Sequence, residues 1–245
     1  MKIGIIIIVY NLDARIFIMQ IEAIKKYCKD ADYTIHVFDN GSDREKIEAI
    51  RHHAKSRVIN YHKTNPSTKD PSFSHSFAAN FSYKMLKDKY ELLFYADHDL
   101  IPVKNYSIEE ILGNHLVAGV RQGKKEYYLW PGCLIFRNNE IDHNLIDFSP
   151  NNKLRLDTGG ELRKLIEVYG EERILYLDEI GAQNEAMLTH KDYYFYMMLC
   201  NETFIHFLAA SNWSGKERHE ERINSLINIT TNLMAENDLR QQQQP

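Results

Sequence analysis

The stretch Ile3-Gly4-Ile5-Ile6-Ile7-Ile8-Val9-Tyr10-Asn11 decides the fold. A continuous β-branched run without polar alternation is the pattern of a strand buried on both faces, as in parallel sheets covered by helices. A helix should follow. Residues 13–28 supply one, with Ile16, Met19, Ala23 and Ile24 at helical spacing behind Asp13, a residue type suited to an N-cap. Residues 33–38 read as a second strand, ending in the turn cluster Asp39-Asn40-Gly41-Ser42-Asp43, from which a helix over 44–55 can start. A third strand is expected over 57–61, a polar loop over 62–72, a helix over 73–89, and a fourth apolar strand over 91–95 that stops at Asp97-His98-Asp99. This alternation predicts an open, doubly wound, mainly parallel α/β sheet. Such sheets bind ligands at their carboxyl edge. Tyr10-Asn11, Asp39-Asn40 and Asp97-His98-Asp99 each follow a strand, so they should gather on that edge.

Beyond Tyr106 the elements shorten into a mixed α+β second half. A helix is expected near 108–114, strands near 116–120, 127–130 and 133–137, and a helix over 157–169. Strands near 174–177, 193–199 and 204–208 precede a final helix from about 216 to 235. No internal repeat is visible, and the terminal Gln-Gln-Gln-Gln-Pro reads as a disordered tail.

With 245 residues, 44% apolar and 26% charged, the chain can bury one large core. A net charge of −4 gives no basic field, so nucleic acid is not an expected partner. The apolar run over residues 3–9 is far shorter than the roughly 20 residues needed to cross a bilayer, so no membrane span is expected. Asn11 and Asp13 follow that run at once and no small-residue cleavage site appears, so it is read as a strand and not as a secretory signal. Cys28, Cys133 and Cys200 lie far apart, which indicates neither a disulfide framework nor a zinc finger and fits a cytoplasmic setting. Attachment to a membrane would then be peripheral and come through partners. Sequence leaves the oligomeric state open.

Several constellations bear on chemistry. Asp97-x-Asp99 puts two carboxylates at the end of an apolar strand, where keeping both ionised is costly unless a cation sits beside them. Mg²⁺ or Mn²⁺ suits such an oxygen-rich site, although an isolated Asp-x-Asp is also what a solvated acidic turn looks like. Asp39-Asn40-Gly41-Ser42 has a turn explanation that needs no ligand, yet a carboxylate there is well placed to meet a base or ribose. Asp157, ahead of Thr158-Gly159-Gly160-Glu161, is by default the N-cap of the helix that follows. Trp130-Pro131-Gly132-Cys133 reads either as a core Trp in a β-turn or as an apolar platform for a sugar. His206, in an apolar strand, reads either as a core residue or as a ligand, and an imidazole suits Mn²⁺ better than Mg²⁺.

Together, Val9-Tyr10-Asn11, Val37-Phe38-Asp39-Asn40-Gly41-Ser42, Ser76-Phe77-Ala78-Ala79-Asn80 and Tyr95-Ala96-Asp97-His98-Asp99 form an ordered set. It resembles the GT-A-type glycosyltransferases, most of all their large inverting family, over residues 3 to about 105. The resemblance implies that Val9 and Tyr10 contact a nucleotide base, that Asp39 with Asn40 reads it, and that Asn80 sits on a helix beside the nucleotide. It implies Asp97 near the ribose and metal, Asp99 and His206 as metal ligands, and Trp130 and Gly132 beneath the sugars. Asp157 becomes the base for the acceptor hydroxyl, with Asp178 and Glu179 in reserve, and Ser211, Asn212 and Trp213 cover the diphosphate. Residues 1–240 would form one domain, with a nucleotide-binding half (1–105), a donor-sugar and acceptor half (106–215) and a C-terminal helix (216–240), followed by a tail at 241–245. Two departures stand out: His75-Ser76 replaces a Gly common in the family, and the Gln-x-x-Arg-Trp acceptor motif is absent, which argues against processive polymerisation.

The implied activity is transfer of a sugar, with inversion favoured and retention left open, from a nucleotide-diphosphate sugar such as a UDP-sugar to a hydroxyl on a glycan or glycoconjugate acceptor. The alternative is a degenerate module of the same fold that binds a glycan or protein through Trp130 and Trp213. A sugar nucleotidyltransferase would need a Gly-rich basic loop after strand one, which Val9-Tyr10-Asn11-Leu12-Asp13 is not. A phosphatase with an aspartate nucleophile would want Thr or Val where Ile101 stands.

Overall fold

The computed structural model describes residues 1–53, 59–64, 70–123, 125–180, 196–207 and 219–243. The chain divides into two compact units, one of Met1–Asn11, Asp30–Asp97 and Ile108–Leu177, the other of Leu12–Lys29, His98–Ser107 and Asp178–Pro245.

The first unit is built on β1 (Ile3–Val9), whose seven residues are all buried as the uninterrupted apolar run requires. Its sheet also holds β2 (Tyr33–Asp39), β3 (Ile59–Lys63), β4 (Leu92–Asp97), β6 (Val117–Gln122), β7 (Tyr128–Arg137) and β8 (Ile174–Tyr176), in the order β3-β2-β1-β4-β7-β6-β8. The contacts β1/β2, β1/β4, β2/β3 and β6/β8 are parallel, and β7 runs antiparallel to both its neighbours. The expected mainly parallel α/β architecture is therefore what the chain forms. Helices α2 (Arg44–His53), α3 (Pro71–Leu86), α4 (Ile108–Leu112) and α5 (Arg163–Tyr169) accompany the sheet. In α3, Ala78, Ala79, Tyr83 and Leu86 pack into a core with Phe38, Tyr95, Phe136 and Phe148. The helix starts at Pro71, earlier than expected, because Asp70 caps it by accepting from Phe73 N and Pro occupies its first turn.

Two expectations for this unit need correction. Tyr128–Arg137 forms one strand, not two strands joined by a turn: the β6/β7 register jumps between Gly119 and Val120, and Pro131, Gly132 and Cys133 are accommodated as a bulge. Pro131 has no N–H to give the ladder, which is why a bulge falls there. Residues 157–169 do not form one helix either. Gly159 takes φ +85°, a short 3₁₀ turn covers Gly160–Leu162, and α5 begins only at Arg163, so Asp157 caps no α-helix.

The second unit holds α1 (Ala14–Tyr27), β5 (Leu100–Pro102), β9 (Glu179–Ile180), β10 (Tyr196–Leu199), β11 (Phe204–Phe207) and α6 (His219–Gln242), its strands forming an antiparallel sheet in the order β5-β11-β10-β9. Asp13 caps α1 as expected, accepting from Arg15 N at 2.9 Å. α6 runs through Gln242, past the expected end and into the stretch expected to be disordered. Long-range bonds fasten that end: Lys26 and Tyr27 to Asp238, Asn237 to Val103 O, and Asn105 to Gln241. Among the described residues no helix is long and apolar enough to cross a membrane.

Candidate functional site

The chain runs outward from β1 to β2 to β3 and then returns to place β4 on the other side of β1. That reversal opens a crevice at the carboxyl ends of β1 and β4, where sheets of this kind take their ligands. Ile8 of β1 stands opposite both Phe38 and Asp97, so the ends of three strands meet there.

Asp97 is half-buried, and its Oδ1 lies 3.5 Å from His75 Nε2 on α3. A Cβ at position 132 would come within 2.6 Å of Asp97 Oδ2 and would strike the Trp130 ring, so glycine is what allows carboxylate and indole to share this space. Asp99 follows after His98 alone. It is buried, 3.4 Å from His206 Nε2, and its carbonyl accepts from Phe207 N, which ties the β4–β5 turn to β11. Asp97, Asp99 and His206 each offer one ligand atom, and the three atoms lie within 4.8 Å of one another. Ligands of an ion with metal–ligand distances of about 2.1 Å stand roughly 3 to 4 Å apart, so the group fits Mn²⁺ or Mg²⁺ with little movement. The imidazole favours Mn²⁺. A cation here would also relieve the cost of two neighbouring carboxylates, one of them buried.

The other residues expected at the edge differ in how open they are. Val9 is buried in its strand, while the Tyr10 ring is 42% exposed and Asn11 holds the turn at φ +46°, its side chain accepting from Asp43 N. Asp39 lies deeper. It is fully buried, with Oδ1 accepting from Ser42 N at 2.9 Å and Oδ2 from Tyr61 Oη at 2.8 Å. Burial, then Asp39 itself, push the Tyr61 hydroxyl far above the ordinary phenol range, so Tyr61 stays a donor. Asn40 is equally enclosed, donating to Ser74 Oγ and accepting from Thr64 Oγ1. Together these two side chains knot the β2 turn to β3 and α3. Asn80 is also engaged within the chain, accepting from Phe148 N and donating to Asp147.

Asp157 borders a cavity of about 620 Å³ with Gln122, Tyr128 and Arg155, and its Oδ1 accepts from Thr158 N. Burial, with the Asp157 charge adding to it, pushes the Tyr128 hydroxyl up to about 12. Gly159, two residues on, packs against Pro131, the neighbour of Gly132 beside Asp97. Asp178 accepts from Asn201 N in a turn whose residues Cys200, Asn201 and Glu202 all have positive φ, and Glu179 is exposed. Ser211, Asn212 and Trp213 lie outside the described residues. Sequence reading missed His75 as a partner of Asp97, noting it only as a departure from the family pattern. It also missed Tyr61, Thr64 and Ser74, whose only sign was hydroxyl chemistry in otherwise ordinary polar stretches.

No protein-family model and no curated protein matches the sequence. Solved structures do resemble it. One is a mannosyltransferase from Pyrobaculum calidifontis in complex with GDP-Man and Mn²⁺, at 13% identity and TM-score 0.51, over 71% of this chain. This chain spans 54% of that mannosyltransferase, about half its length. Another is the galactosyltransferase LgtC in complex with donor and acceptor sugar analogs, at 12% identity and TM-score 0.52, over 91% of this chain and 94% of that one. At such identities the likeness is one of fold, and the fold is that of the GT-A glycosyltransferases.

Proposed function

We propose that the protein is a glycosyltransferase dependent on a divalent metal, moving a sugar from a nucleotide-diphosphate sugar to a hydroxyl of a glycan or glycoconjugate. The observation that carries this reading is the Asp97, Asp99 and His206 group at the carboxyl edge of a GT-A-type sheet. The presence of GDP-Man and Mn²⁺ in one structural neighbour, and of donor and acceptor analogs in the other, supports it. On this reading Asp99 and His206 hold the ion and Asp97 completes the oxygen side. An ion held by these residues would supply positive charge against the negative charge that develops on the leaving diphosphate. Tyr10 lies against the base and the Trp130 indole beneath a sugar. Holding donor and acceptor in register removes much of the entropic barrier.

We take the transfer to be inverting, with Asp157 as base and the cavity beside it as the seat of the acceptor. The acceptor oxygen attacks the anomeric carbon, its proton passes to the Asp157 carboxylate, and the bond between sugar and diphosphate breaks with its electrons leaving on the diphosphate. The resemblance favours UDP as the nucleotide. The test is a thermal-shift panel of UDP, GDP, CMP and their common sugar conjugates, each with Mn²⁺, Mg²⁺ or chelator. One nucleotide family should raise the midpoint only with metal, and Asp99→Ala should abolish that rise and turnover while leaving a folded protein. Turnover that survives chelator and Asp99→Ala overturns the reading, and the anomer of the product decides inversion.

A further inference from the structure

The outer face of α3 carries Phe73, Phe77 and Phe81 at successive four-residue steps, each 37–44% exposed. They are not a core stripe, because α3 buries Ala78, Ala79, Tyr83 and Leu86 instead. The Phe77 and Phe81 rings are nearly parallel, with 13° between their planes and centroids 6.4 Å apart. Next to Phe73 and Phe77 lies a cavity of about 750 Å³ whose other wall is mostly polar, with Asn80, Asp147 and Ser149 beside Lys84 and the apolar Ile146. That wall is fixed in place: Asn80 grips both Asp147 and Phe148 N, and Asp147 Oδ1 also accepts from Ser149 N. Burial alone would raise the Asp147 carboxyl, but hydrogen bonds from Ser149 and Asn80 and the charge of Lys164 outweigh it and hold it below the ordinary range. At neutral pH the wall therefore presents an ionised acceptor.

A ligand matched to both walls needs a flat apolar face and, at its rim, hydroxyls that can donate in fixed directions. A pyranose ring has both, C–H groups on its face and vicinal hydroxyls on its edge. Ser76 also lines the cavity, and the preceding residue of α3, His75, is the one 3.5 Å from Asp97. We propose that the groove between Phe73–Phe77 and Asn80–Asp147–Ser149 binds an oligosaccharide. Resting on the transferase reading, a further step assigns it to the acceptor chain beyond the reacting sugar. Saccharide binding itself does not depend on that reading.

The test uses the full chain without donor or metal, titrated with chitohexaose, cellohexaose, maltohexaose and α-1,6-mannohexaose and followed by saturation-transfer NMR and calorimetry. At least one hexamer binds, and Phe77→Ala and Phe73→Ala each weaken it about fivefold or more. Both rings are exposed, so an unchanged thermal midpoint shows that the loss is local. The proposal is overturned if no hexamer binds, if both variants bind as the wild type does, or if Phe77→Ala instead dissociates a dimer in sedimentation, which would give the stripe to self-association. Failure here leaves a metal-dependent nucleotide shift intact, whereas failure of the transferase reading removes that shift and leaves hexamer binding intact.

Discussion

His36 makes the stability of the first unit depend on pH in a way that can be worked out. The side chain is 5% exposed on β2, with Nδ1 3.1 Å from His62 Nε2 and Nε2 2.6 Å from Tyr90 Oη. Burial, then the neighbouring His62 and Lys89, lower its pKa to about 4 from an ordinary 6.5. The unfolded chain therefore binds a proton between pH 6.5 and 4 that the folded chain refuses. Stability is fully present above pH 6.5 and is lost as pH falls through that window. A shift of about 2.5 units corresponds to a limit of about 3.4 kcal/mol, of which about 2.4 kcal/mol is lost between pH 7 and pH 4.5. His62, also lowered by burial, acts with the same sign. Urea unfolding at half-unit steps from pH 7.5 to 4.5, for wild type and His36→Phe, isolates the effect, because the carboxylates titrate alike in both. The variant starts less stable, having left Tyr90 Oη without its imidazole, yet its curve is flatter by about 2 kcal/mol over the window. Parallel curves, differing by a constant offset at every pH, would refute the reasoning.

Three further outcomes follow from the site. Gly132→Ala drives a methyl into the Trp130 ring and toward Asp97 Oδ2, so it costs about 1–3 kcal/mol in thermal unfolding and weakens Mn²⁺ binding measured by calorimetry; unchanged Mn²⁺ affinity would show that Asp97 does not depend on that space. Tyr61→Phe leaves a fully buried carboxylate short of a donor and costs about 1–3 kcal/mol in urea, whereas a neutral result would mean that water replaces the hydroxyl. Asp157→Asn keeps the nucleotide-induced thermal shift and stops transfer in a product assay, and equal loss of both makes Asp157 structural.

What the sequence showed and what it hid divide along a physical line. The run from Ile3 to Val9 needs no partner to be recognised, because a segment apolar on both faces has to be covered on both faces, and the parallel sheet follows from that. Asp97 and Asp99 were legible for a related reason: strand ends project their next residues onto the sheet edge whatever the rest of the chain does, whereas His206, inside β11, was named only through the family resemblance. The phase of the β7 bulge was not legible, since it depends on a strand paired from another part of the chain. The last turn of α6 was hidden too, because a Gln-rich tail carries no apolar period and is held by Asn105 from far away. Asp39 is the sharpest case. In sequence it stands at a strand end just as Asp97 does, and the turn it opens gives no sign of its burial. Its availability is decided by the Ser42 N–H and by the Tyr61 hydroxyl, which arrives from β3 and satisfies the second oxygen. Asp99 is buried as well, but an imidazole stands 3.4 Å away, and an imidazole can share a cation with a carboxylate where a backbone N–H cannot. Motif position therefore locates a carboxylate on the sheet, and the chemistry of the groups brought to it from elsewhere in the chain decides whether it serves the fold or a ligand.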